Sequence, residues 1–152
     1  MAKRKFKTAA KVETTLAEAF EQFYEEKQAK NLSKATLRNY QQSFNMFCEY
    51  HELPSDYLLE DIKLPLFYKW INHMKNNEVR PQSINHYLRD WRAFLNWADE
   101  RDMLQESIKV TEIEVQEGLP KMYTDEEMAI MLEKPRPGDG FNDWRSWAIV
   151  ST

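Results

Sequence analysis

The chain has 152 residues, of which 13% are aromatic and only three are glycine. This composition is typical of packed helices and excludes a turn-rich β-sandwich or a disordered polypeptide. No apolar run reaches the roughly 18 residues that a membrane-spanning helix needs, and the first residues lack the apolar segment of a secretory signal. The sequence therefore predicts an all-α, cytoplasmic protein without a membrane partner.

Charge is distributed unevenly along the chain. Although the net charge is −4, residues 1–98 contain 15 Lys+Arg and 12 Asp+Glu, whereas residues 99–152 contain 6 and 13. The first eleven residues hold five basic side chains and no acidic one, which indicates a basic N-terminal tail over residues 1–12. A polyanion responds to such local patches rather than to the net charge, so the acidic total does not exclude a nucleic-acid partner.

The first two predicted helices start with recognisable caps. Thr15 and Glu18 form a capping box ahead of an apolar stripe that includes Phe20. Ser33 begins the second helix, in which apolar residues continue at helical spacing, and this helix should end near Pro54. From Lys27 to Cys48 this part of the chain carries four basic residues and no acidic one.

The third and fourth predicted helices both begin with proline, which suits the first helical turn. Pro65 precedes apolar residues at spacings of three and four, and Pro81 opens the strongest helical periodicity in the chain, sustained for four turns. These patterns place the four helices within residues 13–105.

The remaining sequence predicts a linker and a second structural region. Residues 106–122 are rich in β-branched residues, end with Gly and Pro, and lack a sustained period, which is typical of an extended linker. Thr124 opens a further capping box, and the last twelve residues read as another helix that stops without a capping residue.

Two polar helix faces are candidates for nucleic-acid contacts. Both lack carboxylates and consist of side chains that donate to phosphates, guanine or adenine. On the second helix they are Ser33, Lys34, Thr36, Arg38, Gln41, Gln42 and Asn45, and on the fourth Gln82, Ser83, Asn85, His86, Arg89 and Asn96. The alternative is that each face is only the solvated side of an amphipathic helix.

No metal or cofactor site is predicted. His51, His73 and His86 have no second ligand at metal-binding spacing, and the single cysteine, Cys48, suits a small core residue in a reducing compartment. Most tryptophan and phenylalanine residues follow apolar stripes and are expected in the core.

Three motifs resemble the N-terminal half of the tyrosine recombinases, the phage integrase family. The pattern S-x-x-T-x-x-x-Y occurs at the start of the second helix, and S-I-N-x-x-L-x-x-x-R-x-F-x-x-W-A occurs on the fourth. The start T-x-E-E of the family's catalytic domain occurs at residues 124–127. Together these motifs cover about residues 13 to 152.

The resemblance implies a SAM-like core-binding domain of four or five helices that forms one half of a C-shaped clamp on DNA. It also implies that residues 123–152 are a truncated start of the catalytic domain. The family's first catalytic Arg would be expected shortly after Thr152, and Tyr123 precedes that point. The chain as given is therefore predicted to be non-catalytic, without the family's Arg, Lys, His and Tyr catalytic residues.

The sequence thus predicts a core-binding domain over 13–105, a linker over 106–122, and a function in binding double-stranded DNA at a recombination site. Recombinase protomers in a synaptic assembly are a further expected partner. The alternative from another class is a helical protein-interaction module, or a truncated regulator of a full-length recombinase.

Overall fold

The computed structural model describes residues 13–116 and 122–151. The predicted basic tail and part of the predicted linker lie outside these described residues. The chain divides into two compact units, Met1–Val115 and Gln116–Thr152. The first contains four α-helices: α1 Leu16–Ala29, α2 Lys34–Tyr50, α3 Leu64–Asn76 and α4 Pro81–Glu100. The second contains α5 Asp125–Leu132 and α6 Phe141–Val150.

The all-α prediction is confirmed. In the described ranges the only β-type pairing is a single antiparallel bridge between Thr15 and Leu58, next to a short 3-10 helix at Leu59–Asp61 that the sequence did not indicate. Neither described range holds a helix with the length and apolar character needed to cross a membrane.

The predicted caps of α1 and α2 are confirmed by their hydrogen bonds. The Thr15 hydroxyl accepts from the Glu18 N–H, and the Glu18 carboxylate accepts from the Thr15 N–H. Ser33 caps α2 by accepting from the Thr36 N–H at 3.1 Å. Each cap satisfies backbone donors that the first turn of a helix leaves free.

The first four helices end in the same way. Each is followed by a residue with positive φ that is not glycine: Asn31, Glu52, Glu78 and Asp102. The next residue is apolar, and its N–H donates back to a carbonyl five positions earlier, as Leu53 does to Cys48 at 3.0 Å. This Schellman arrangement ends α2 at Tyr50, before the predicted end near Pro54.

Aromatic side chains form the core of the first unit. Phe47 and Trp91 are at most 2% exposed, and their ring centroids lie 4.4 Å apart. Phe47 also contacts Trp70 of α3 at 5.3 Å, edge to face. Since α1 adds Phe23, which contacts Trp97 of α4, all four helices contribute rings to one cluster.

The segment after α4, here called the strap (residues 104–113), packs against the helices. Leu104 and Val110 are 2% and 3% exposed, and Ile108 and Ile113 are half-buried. The sequence predicted a linker from residue 106, but in the structure four apolar residues of this segment are buried or half-buried against the helices. The boundary between the two compact units falls after the strap, at Val115.

The second unit contains the predicted α5 and a final helix, and its described side chains from 122 to 149 are all exposed or half-buried. Thr124 forms the predicted capping box with Glu127. The Trp147 indole N–H donates to the Leu132 carbonyl at 3.0 Å and so connects α6 to the end of α5.

Candidate nucleic-acid interface

Helices α2 and α4 pack against each other, and a polar pair, Ser43 and Asp90, lies at the centre of their line of contact, here called the seam. The Ser43 hydroxyl donates to the Asp90 carboxylate, and the Trp91 indole N–H donates to the Ser43 carbonyl at 3.1 Å. Phe44 contacts Phe94, whereas Phe47 contacts Trp91, so the two helices run in opposite directions here. The N-terminal halves of the two helices therefore extend to opposite sides of the Ser43–Asp90 pair.

The outer face of α2 carries two exposed cations. Lys34 and Arg38 are exposed, as are Gln42 and Asn45. Neither Lys34 nor Arg38 has an ion-pair partner among the described residues. Since these four side chains recur at spacings of three and four, they form one continuous stripe on the helix.

Three other predicted contacts on α2 are already engaged in hydrogen bonds. The Ser33 and Thr36 hydroxyls lie 2.9 Å apart in the cap, and the Gln41 amide donates to Asn45 at 2.9 Å. Thr36 and Gln41 are also half-buried. Their contribution to ligand contacts would therefore require these bonds to be shared or exchanged.

On α4 the predicted residues divide between exposed and half-buried positions. Gln82 and Arg89 are exposed, and Ser83 is half-buried in the first turn. The His86 side chain is 45% exposed, and its Nε2 lies 3.7 Å from the Asp90 carboxylate. Burial raises the pKa of Asp90 from its ordinary value, while the Ser43 hydrogen bond opposes the shift.

Asn85 does not project outward, which corrects the expectation from the helical pattern. It is 3% exposed, its amide donates to the Ile113 carbonyl at 3.0 Å, and its oxygen accepts from the Ile113 N–H at 2.8 Å. Both polar groups are used because a buried amide without partners would be costly. Asn85 therefore fixes the strap and is unavailable for direct contact with a ligand.

Arg89 is exposed but is paired with the strap. Its Nε lies 3.2 Å from the Glu112 carboxylate, which also accepts from Arg92 at 2.5 Å. The hydrogen bond from Arg92 is the main cause that lowers the pKa of Glu112 below its ordinary value. The basic face of α4 thus differs from that of α2, because a carboxylate of the same chain already contacts its guanidinium groups.

The phage integrase SAM-like domain model matches residues 15–113. The chain belongs to this family. No curated protein and no solved structure is significantly similar to it. The match begins at the Thr15 cap of α1 and ends at Ile113, the strap residue that Asn85 holds, so the SAM-like domain includes the strap.

Sequence reasoning missed three polar residues of the SAM-like domain: Asp90, Arg92 and Glu112. Asp90 follows His86 by four positions, a spacing that could have indicated a contact on one helix face. Arg92 was recognised only as part of a family motif. Glu112 lies in the predicted linker, and no local pattern could show that this segment returns to α4.

The part of the SAM-like domain that the structure describes holds no group of three or more His, Cys, Asp or Glu residues that could bind a metal ion. Burial raises the pKa of the Cys48 thiol to about 11, so this cysteine is protonated near neutral pH and unsuited to nucleophilic chemistry.

Proposed function

We propose that the SAM-like domain binds duplex DNA at a recombination site, with α2 and α4 against the DNA, and that this chain holds DNA without cleaving it. The observation that supports this best is the stripe on α2 that contains Lys34 and Arg38, which are exposed and have no ion-pair partner in residues 13–116 and 122–151. Cations without an internal partner are free to release counterions from a phosphate backbone, which is the main source of affinity for DNA.

The face that α2 and α4 form is long enough to cross a major groove. At 1.5 Å per residue, Lys34 lies about 14 Å from Ser43 along α2, and Gln82 lies about 12 Å from Asp90 along α4. Since the helices run in opposite directions, the two ends of the face are roughly 25 Å apart, compared with about 12 Å for the width of a major groove. In this proposal the ends contact phosphates on both sides of the groove, and Gln42 and His86 lie between them.

The test is the salt dependence of binding to a duplex, measured by fluorescence anisotropy. Lys34→Ala should weaken binding to every sequence and reduce the salt slope by about one unit, because one phosphate contact is lost. Lys63→Ala is the matched control, since it removes the same charge from an exposed position just before α3, outside α2 and α4. Equal behaviour of the two variants would contradict this placement of the DNA.

Arg38→Ala and Arg89→Ala test whether either helix reads bases. Replacing a residue that contacts a base should weaken binding by roughly 1–3 kcal/mol at the preferred DNA site only. Replacing a residue that contacts a phosphate should weaken binding to all sequences. Both variants should keep the helicity and melting temperature of the parent. If both bind DNA like the parent at low salt, the interaction-module function becomes the better explanation.

A protein-interaction module is the second candidate function, and the second unit favours it. Phe141 and Ile149 are 79% and 71% exposed, and Ile130 on α5 is 71% exposed. Large apolar side chains on a surface are typical of contacts with a protein, here a recombinase protomer. Sedimentation at low and high salt tests this function, because apolar association should persist when salt has removed DNA binding.

A further inference from the structure

The strap holds its position through contacts that do not involve Glu112. Leu104 and Val110 are buried against the helices, and the side chain of Asn85 makes two hydrogen bonds with the backbone of Ile113. These contacts place Glu112, one residue before Ile113, beside α4. The Glu112 carboxylate therefore stays close to α4 whether or not its own ion pairs are formed, which gives it a high effective concentration there.

The two partners of Glu112 are arginines on the proposed DNA side of the domain. The side chains of Arg89 and Arg92 are 56% and 40% exposed, so solvent and a ligand can reach both. A guanidinium group binds a carboxylate and a phosphate with the same planar donor geometry. One carboxylate oxygen of Glu112 accepts from both arginines, which is the position that a phosphate oxygen would take.

We propose that Glu112 is an internal competitor of DNA phosphate, which occupies Arg89 and Arg92 in the free protein and is displaced when α4 contacts DNA. This inference rests on the proposed function and adds a regulatory element to it. The strap then sets how strongly α4 contributes to binding. Lys34 and Arg38 of α2, which have no ion-pair partner among the described residues, contribute fully.

The expected size of the effect is small because the ion pairs are exposed. Breaking a surface ion pair of this kind should change the affinity by about 1.4- to 5-fold. Glu112 therefore weakens the DNA contact of α4 without preventing it. It also reduces the number of counterions released, since two arginines that already have an anion release fewer ions when they meet phosphate.

The experiment measures the affinity of the full chain for a duplex at several salt concentrations by fluorescence anisotropy. Glu112→Gln should bind about 1.4- to 5-fold more tightly than the parent at low salt, with a salt slope steeper by about one unit. Glu114→Gln is the matched control, because it removes the same charge from an exposed position two residues further along. The affinity of Glu114→Gln should lie closer to that of the parent than the affinity of Glu112→Gln does.

A double-mutant cycle shows whether Glu112 acts through the arginines. In a chain that carries Arg89→Ala and Arg92→Ala, Glu112→Gln should no longer change the affinity, because the groups it masks are gone. The inference is overturned if Glu112→Gln and Glu114→Gln have equal effects, or if Glu112→Gln weakens binding, which would make Glu112 a positioning residue for Arg89. Absence of DNA binding by the parent chain itself would instead contradict the proposed function.

Discussion

The two compact units start their first helices in the same way but differ in what those helices bury. Thr15 and Thr124 both form capping boxes, and in each the hydroxyl accepts a backbone N–H at 3.2 Å. Behind the first cap lies a cluster of buried aromatic rings, whereas none of the described side chains of α5 is buried. A cap therefore defines where a helix begins, and its stability in a protein depends on the apolar face that follows.

The largest expected difference between the units comes from removing a phenylalanine ring. Phe47→Ala should reduce the free energy of unfolding by about 3–5 kcal/mol, because Phe47 is fully buried among aromatic rings and its loss leaves a cavity. Phe141→Ala, in the second unit, should change it by less than about 0.5 kcal/mol because that ring is 79% exposed. Urea denaturation followed by tryptophan fluorescence measures both changes. Similar losses of unfolding free energy for the two variants would contradict the difference in burial between the two units.

The second prediction concerns the strap as part of the first unit. Asn85→Ala should lower the free energy of unfolding by about 1–3 kcal/mol, since the backbone N–H and carbonyl of Ile113 both lose their hydrogen bonds to the Asn85 side chain. The exchange of the Ile113 amide hydrogen with solvent should become faster at the same time. Asn96→Ala is the control on the same helix, at an exposed position. An unchanged exchange rate at Ile113 in Asn85→Ala would mean that the strap is held by its apolar residues alone.

Local signals predicted the helices of both units well. Thr15, Ser33 and Thr124 were recognised as caps because their partners lie within three residues along the chain. Helix ends were harder to predict, since Asn31 and Glu52 adopt positive φ where glycine is the usual signal. At the end of α2 the residue after the positive-φ position, Leu53, packs against the core, and a local pattern does not contain that contact.

The candidate site was predicted less completely than the fold. Lys34 and Arg38 are exposed as expected, because helical periodicity alone separates them from the apolar stripe. The roles of Asn85 and Glu112 could not be predicted in this way, since they depend on contacts between residues more than twenty positions apart. Asn85 in particular carries a polar side chain inward because the strap supplies its partners.

The third prediction compares the two capping boxes directly. Thr15→Ala should reduce the free energy of unfolding of the first unit by about 0.5–2 kcal/mol, because a helix donor loses its acceptor. Thr124→Ala should leave that unfolding transition unchanged and only lower the helical signal from α5 in circular dichroism. A loss of similar size in both variants would indicate that the second unit contributes to the stability of the first.

The last and smallest effect is a pH dependence that belongs to the first unit. The Glu26 carboxylate accepts hydrogen bonds from Lys30 at 2.6 Å and from Trp97 at 2.7 Å, and it also pairs with Arg101. These contacts, that of Lys30 first, lower its pKa from 4.5 to about 2. Because the pKa is lower in the folded state, the stabilisation is complete above the ordinary value and is lost as the pH falls through about 2.

Glu26→Gln should therefore melt at a lower temperature than the parent at neutral pH, and the difference should disappear as the pH falls from about 4.5 to about 2. Melting curves recorded by circular dichroism across this range measure it. Glu25→Gln, at the neighbouring exposed position, is the control for the loss of one negative charge. If the two variants follow the same pH profile, the contacts of Glu26 with Trp97 of α4 and with Arg101, just after α4, contribute nothing to stability. A difference confined to Glu26→Gln would show that a polar contact between α1 and α4 supplements the aromatic core.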